Sequence, residues 1–222
     1  MEKGVQQHMV IENWQERLGD RAKNVAFQPK CDRFYFLRHG QTEHNKRRVC
    51  QGNTDIPLNE TGLAQADAAA GVLAKAQPVA VRASDLMRVR QTAAPVAKQL
   101  GLKIETDARL RERSFGIYEN QSINGQLWSF DHPSIETLED FVDRSWQGFD
   151  WALQQDDVLV VTHGGLRRVL TGLLRIEMAD WTAHNALPMR FTRMADDSWK
   201  AEALTEAGAW PANGPEPIDL DR

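Results

Sequence analysis

Cysteine is scarce in this 222-residue chain: Cys31 and Cys50 are the two present, and neither sits in a C-x-x-C pair. The sequence therefore offers no disulfide framework and no cysteine metal site, and a reducing compartment is the simpler setting. Positive charge is not in excess either, with 27 Lys and Arg against 31 Asp and Glu, a formal net charge of −4. A nucleic-acid backbone calls for a basic surface. No nucleic-acid partner is expected, and an anionic ligand has to be met by a local cluster of arginines. Long apolar runs are missing too. No stretch approaches the roughly 18 residues of a membrane span, and the opening MEKGVQQHMVIENWQERLGD lacks the apolar core of a signal peptide. A cytoplasmic protein without membrane contact is expected. There is no H-E-x-x-H and no carboxylate cluster at a strand end, so no metal and no other cofactor is expected.

What is present is enough hydrophobic sequence, 41%, to bury a full core. The length fits one α/β domain. Residues 1–30 read as a polar N-terminal extension, in which Met9, Ile11, Trp14 and Leu18 have the spacing of a short helix. FYFLR, a buried strand, opens into HGQT. Residues 60–76 are Ala-rich and helical, capped by Asn59 or Thr61. VAVRAS (79–84) is a strand, and residues 85–101 form a helix closed by Gly101, with a kink or break expected at Pro95. KIETD (103–107) is a short strand, and residues 113–136 are irregular. Residues 137–155 form an amphipathic helix with Leu138, Phe141, Val142, Trp146, Phe149 and Leu153 inward. DDVLVVTH (156–163) is a strand and GGLRRVLTGLL a helix. LPMRFTRM and SWKAEAL are antiparallel strands about Ala195-Asp196-Asp197, and residues 206–222 form a loose Pro/Gly-rich tail. Strands alternating with helices imply βαβ units and a largely parallel, helix-covered sheet.

Two of the strands end in histidine followed by glycine, FYFLRHG and VLVVTHGG. In open α/β sheets ligands bind beyond the carboxyl ends of the strands, so neighbouring parallel strands would set His39 and His163 across one site. Glycine after each histidine lets the backbone approach a ligand, and Gly164 and Gly165 open a helix whose free N–H groups favour an anion. Arg38 precedes His39, and Arg88 lies in the first turn or so after strand VAVRAS. Planar guanidinium groups suit phosphate oxygens, so these residues make a cage for a phosphoryl group.

RHGQTEHN (38–45), GNTDIPLNETG (52–62), SDLMRVRQTA (84–93), LRERSFGIYE (110–119) and VTHGG (161–165) follow one another in the order of the signatures of the histidine phosphatase superfamily, which the chain resembles from residue 33 to about 205. The resemblance implies a phosphoglycerate mutase-like fold, a three-layer helix-sheet-helix sandwich with a mostly parallel mixed sheet and a small helical cap. It implies a domain over 31–205 with the cap within 113–155. It matches His39 to the nucleophile that becomes phosphohistidine, and Arg38, Arg88 and His163 to the phosphate pocket. Asn45 and Thr42 match further polar contacts, Gly164 a backbone N–H, and Glu112 the proton donor. Glu119 and Asp85 are rival carboxylates. Trp128 and Phe130 are open between pocket wall and core. Arg111, Arg113, Arg167 and Arg168 are expected to be salt-bridged or solvated, His44 and His132 to lie at the surface, and Lys46-Arg47-Arg48 to be a solvated loop near the pocket rim.

The activity so implied is metal-independent hydrolysis of a small phosphorylated metabolite. Phosphoglycerate mutase and a phosphate- or phosphoprotein-binding module with weak catalysis are the alternatives. Only 51 positions separate Glu112 from His163, where mutases of this family carry a larger insertion that keeps water from the intermediate. That favours hydrolysis. Tyr118-Glu119-Asn120 departs from the Trp-Glu-Gly of many relatives.

Overall fold

A computed structural model describes residues 9–122, 127–177 and 184–205. The tail expected over 206–222 lies outside the described residues, as does Gly125 of the irregular segment. The elements follow in the order β1 (Met9–Val10), α1 (Trp14–Lys23), β2 (Arg33–Arg38), α2 (Glu43–Arg47), α3 (Glu60–Ala76), β3 (Ala80–Ala83), α4 (Met87–Leu100), β4 (Ile104–Thr106), β5 (Phe130–Asp131), α5 (Leu138–Ala152), β6 (Val158–Thr162), α6 (Gly164–Leu173), β7 (Pro188–Arg193) and β8 (Trp199–Ala203).

Six strands form one sheet in the order β4-β3-β6-β2-β7-β8. The first four are mutually parallel, while β7 runs antiparallel to β2 and β8 antiparallel to β7. Successive side chains of a strand face opposite sides, and the two central strands are apolar on both. Phe34, Phe36, Val158 and Val160 enter a core with residues of α1, α5 and α6. Tyr35, Leu37, Leu159 and Val161 enter a second core with residues of α3 and α4. That is the helix-sheet-helix sandwich. All five residues of β6 are buried, and each such apolar side chain contributes roughly 1.5–3 kcal/mol on leaving water.

Local chemistry sets the helix ends. Asn59, not Thr61, caps α3, its side chain accepting from the Gly62 N–H at 2.9 Å. Thr137 caps α5, and Gly101 closes α4 at φ +67°. Helix α4 continues through Pro95 without the expected break. The N-terminal helix begins only at Trp14, because the backbone at Met9–Val10 pairs with β5 and Asn13 turns left-handed at φ 52°. Trp14, Leu18 and Ala22 of α1 are buried in the same core as α5 and α6. Three short 3-10 turns at Ala108–Leu110, Gly116–Tyr118 and Leu127–Ser129 punctuate the chain between β4 and α5.

Candidate active site

Because β2 and β6 are parallel neighbours, with Arg38 in register with Thr162, His39 and His163 leave the sheet side by side. Their rings meet edge to face, centroids 5.3 Å apart, and both are buried. Nδ1 of His39 lies 2.8 Å from the Gly40 carbonyl oxygen. A carbonyl only accepts, so Nδ1 carries the proton and Nε2 keeps its lone pair. His163 is wired differently. The Arg88 guanidinium donates to its Nδ1 at 3.3 Å, which leaves Nε2 protonated and donating to Ser84 Oγ at 3.0 Å. Burial, followed by the charges of Arg88 and its neighbours, holds both imidazoles well below the usual 6.5, so both rings are neutral at pH 7.

Arg88 is fully buried. Its two terminal nitrogens donate to the Thr54 and Gly52 carbonyls at 2.8 Å each, Nε is without a hydrogen bond, and among the described residues no carboxylate pairs with it. Burial lowers its pKa to about 10, against the opposing pull of Glu112. A buried cation held only by neutral groups is costly by itself and is relieved by an anion. Arg38 follows the same pattern, lowered to about 10 by burial with Glu112 opposing. It lies beside the start of α6, where a Cβ on Gly164 would stand 3.4 Å from its Nε.

Glu112 reaches α6 from the other side. Its Oε2 accepts from the Gly165 N–H at 3.0 Å and its Oε1 from the Arg113 N–H at 2.9 Å. Gly165 is required for this approach: a Cβ there would fall 2.1 Å from Glu112 Oε1 and 2.7 Å from the Trp128 ring. Gly40 serves packing rather than a ligand, for a Cβ would stand 2.5 Å from the Gly62 carbonyl oxygen.

Asn45 and Thr42 form a capping box at α2. The Thr42 hydroxyl receives the Asn45 N–H at 3.1 Å and faces both Asn45 Oδ1 and Gln51 Oε1, so its bonding capacity is spent inside the loop. Of the rival carboxylates, Asp85 is engaged by Arg111 through two bonds of 2.7 and 2.6 Å. Glu119 binds the segments 53–54 and 114–115. Trp128 joins both of its proposed settings, stacking on Trp14 at 5.1 Å in the core while its far edge faces Gly165; Phe130 packs on Tyr118. Arg111 is salt-bridged, but Arg113 is not solvated: it is buried, donates to the Glu136 and Trp128 carbonyls, and its guanidinium carbon lies 5.4 Å from the ring centroids of both Phe115 and Trp128. Arg167 is buried as well. His44 and His132 are half-buried, with partners Asn120 and Ser134. Lys46, Arg47 and Arg48 are exposed.

Sequence reasoning missed the supports. Thr92 accepts from the Gly40 N–H at 2.9 Å and donates to the Arg88 carbonyl. Ser84 accepts from the His163 Nε2, Asn185 donates to the His39 carbonyl at 2.8 Å, and Arg144 donates to the carbonyls of residues 109, 111 and 112, carrying the Glu112 loop. Ser84 and Thr92 stand as polar residues inside the motif SDLMRVRQTA, and that was the one available signal. Among the described residues no group of three or more His, Cys, Asp or Glu side chains is placed to hold a metal ion, and no helix is long and apolar enough to cross a membrane.

A mostly parallel sheet with two imidazoles, the buried guanidinium of Arg88, the half-buried Arg38 and a helix N-terminus at its carboxyl edge defines an enzyme class that handles phosphorylated ligands. The model of the histidine phosphatase superfamily (branch 1) matches residues 34–205. Glucosyl-3-phosphoglycerate phosphatase of Mycobacterium tuberculosis is 34% identical over 211 residues, covering 82% of this chain and 92% of its own. An agropine synthesis reductase of Rhizobium rhizogenes is 36% identical over 171 residues, 72% of this chain, which spans only 39% of that protein. A solved mycobacterial glucosyl-3-phosphoglycerate phosphatase in complex with VO3 superposes with a TM-score of 0.61 at 28% identity, over 78% of this chain and 98% of that one. The chain belongs to the histidine phosphatase superfamily.

Proposed function

We propose that this protein hydrolyses the phosphomonoester of a small metabolite through a phosphohistidine at His39, without a metal ion. The observation that carries the reading is the His39 ring itself. Its Nδ1–H is tied to the Gly40 carbonyl, and among the described residues its Nε2 has no hydrogen-bond partner and the neighbouring buried Arg88 no carboxylate partner. In the first step Nε2 attacks phosphorus, the N–P bond forms, and the P–O bond to the alcohol breaks. The Nδ1–H bond to the carbonyl stabilises the positive charge that develops on the ring. Arg38, Arg88, the Gly164 N–H and the Asn45 amide receive the equatorial oxygens, and His163 lies beside them. Thr42 acts by fixing Asn45. Glu112 serves as general acid toward the leaving oxygen and then as general base toward the water that attacks phosphorus, so the proton given in the first step is regained in the second. That second step breaks the N–P bond, releases phosphate and restores neutral His39.

The chemistry resides in residues 31–205, with the cap within residues 113–155 and 1–30 as an extension whose helix shares the core. Two buried free cysteines support a cytoplasmic setting. The names of relatives such as the glucosyl-3-phosphoglycerate phosphatase support a small phosphorylated substrate. The test is phosphate release from a panel of phosphometabolites and p-nitrophenyl phosphate in EDTA, with His39→Ala as the blank. Turnover by that variant, or its absence in the parent enzyme across the panel, would end the reading.

A further inference from the structure

Glu119 is the carboxylate that the proposed mechanism does not use, and its contacts are unusually many. Oε1 accepts from the Asn53 and Phe115 N–H groups at 3.0 Å each and from the Ser114 hydroxyl at 3.4 Å. Oε2 accepts from the Thr54 hydroxyl at 3.0 Å. The carboxylate thus ties residues 53–54 to residues 114–115. The fit is close: at Gly52, where φ is +50°, a Cβ would stand 2.2 Å from Glu119 Oε1. Neighbouring bonds run the same way, from the Asn120 side chain to Thr54 Oγ1 at 3.2 Å, from the Asn120 N–H to the Cys50 carbonyl at 2.8 Å, and from the Cys50 N–H to the Gln121 carbonyl at 2.9 Å.

The clamped segment is the one that holds Arg88. The Gly52 and Thr54 carbonyls are the two oxygens on its guanidinium, and residues 51–55 lie in no helix or strand. A guanidinium gripped by two loop carbonyls and a neutral imidazole is placed no better than the loop that carries them. We propose that Glu119 is a positioning residue for the phosphoryl site: by clamping residues 53–54 it fixes the carbonyls that aim Arg88 at the anion. The proposal rests on reading the His39–Arg88 cluster as the phosphoryl site. Glu119 also contributes to keeping Arg88 charged, being among the carboxylates that oppose the effect of its burial.

A brace that served only the fold would alter stability and leave anion binding by the folded protein unchanged. The experiment measures orthovanadate affinity by calorimetry, with unfolding midpoints alongside, for the full chain, Glu119→Ala, Glu119→Gln, Arg88→Ala and the Glu119→Ala/Arg88→Ala double variant. Glu119→Ala should weaken vanadate about 10-fold or more. Glu119→Gln should recover most of that, since its oxygen still accepts from Asn53 and Phe115 while its amide donates to Thr54 Oγ1. With Arg88 already removed, losing Glu119 should cost less than about 2-fold, because both changes disable one device. Should Glu119→Ala not fold, Glu119→Asp carries the test: it keeps the charge, is one methylene too short to span both segments, and should bind vanadate about 5-fold or more weakly. Wild-type affinity in the folded Ala or Asp variant, or multiplicative losses in the double variant, overturns the proposal. Failure of the underlying reading looks different, for then the unaltered protein neither binds vanadate nor forms phosphohistidine.

Discussion

At the end of β2 His39 has, among the described residues, one ring nitrogen without a hydrogen bond, while at the end of β6, one strand away, His163 has both engaged. The rings touch, share their burial and share the repulsion of Arg88. What separates them is who holds them. The main-chain carbonyl at residue 40 accepts a hydrogen bond from the His39 Nδ1–H and leaves the Nε2 lone pair facing the site. Arg88 and Ser84 take both edges of His163 and leave nothing with which to attack. Two neutral imidazoles a few ångströms apart are thus suited to different work, one to bonding phosphorus and the other to holding the cage.

The sharpest way to break this comparison is to remove each ring in turn. His39→Ala should reduce turnover of p-nitrophenyl phosphate by at least about 10⁴-fold and abolish the acid-labile phosphoenzyme seen on rapid quenching. A phosphoenzyme surviving in that variant would move the nucleophile to His163. Next in size is the proton donor. Glu112→Gln should slow hydrolysis of an alkyl phosphate by about 10³-fold and that of p-nitrophenyl phosphate much less, because p-nitrophenolate leaves without a proton. Equal losses on the two esters would transfer the acid role elsewhere. His163→Gln should cost about 10²-fold in kcat, because Arg88 loses one of the groups that hold its guanidinium at the developing oxyanion, with phospho-His39 still forming.

The smallest effect concerns stability. Both imidazoles have folded-state pKa values depressed well below 6.5. As pH falls through about 6.5 the unfolded chain takes up protons that the folded one refuses, so stability drops, by up to about 1.4 kcal/mol per pH unit for each histidine, until the folded-state pKa is reached. Urea unfolding between pH 8 and 5 should show this slope, and His39→Gln should remove about half of it. A flat profile would mean that the rings are not held neutral.

The legible part of the molecule was the part encoded locally. VLVVT and FYFLR announced buried parallel strands because both faces are apolar. The paired His-Gly endings pointed to one edge of the sheet, and five motifs in order supplied Arg88 and Glu112. Asn59 and Gly101 marked helix ends through their own side-chain and backbone chemistry. Less legible were the start of α1, where pairing of the Met9–Val10 backbone with β5 overrode a helical spacing, and Arg113, whose burial against the rings of Phe115 and Trp128 no charge pattern announces.

Periodicity and motif order were enough, then, to bring His39, His163, Arg38, Arg88 and Glu112 to one edge of the sheet. Only the tertiary structure decided how each is held there. The proton on His39 rests on its own chain, but that on His163 depends on Ser84 and Arg88, 79 and 75 residues away. The aim of Arg88 depends on carbonyls 34 and 36 residues before it and on a carboxylate beyond Tyr118. A hydrogen bond is satisfied by whatever donor or acceptor folding brings within about 3 Å, and that choice is made between segments whose local sequences carry no mark of one another.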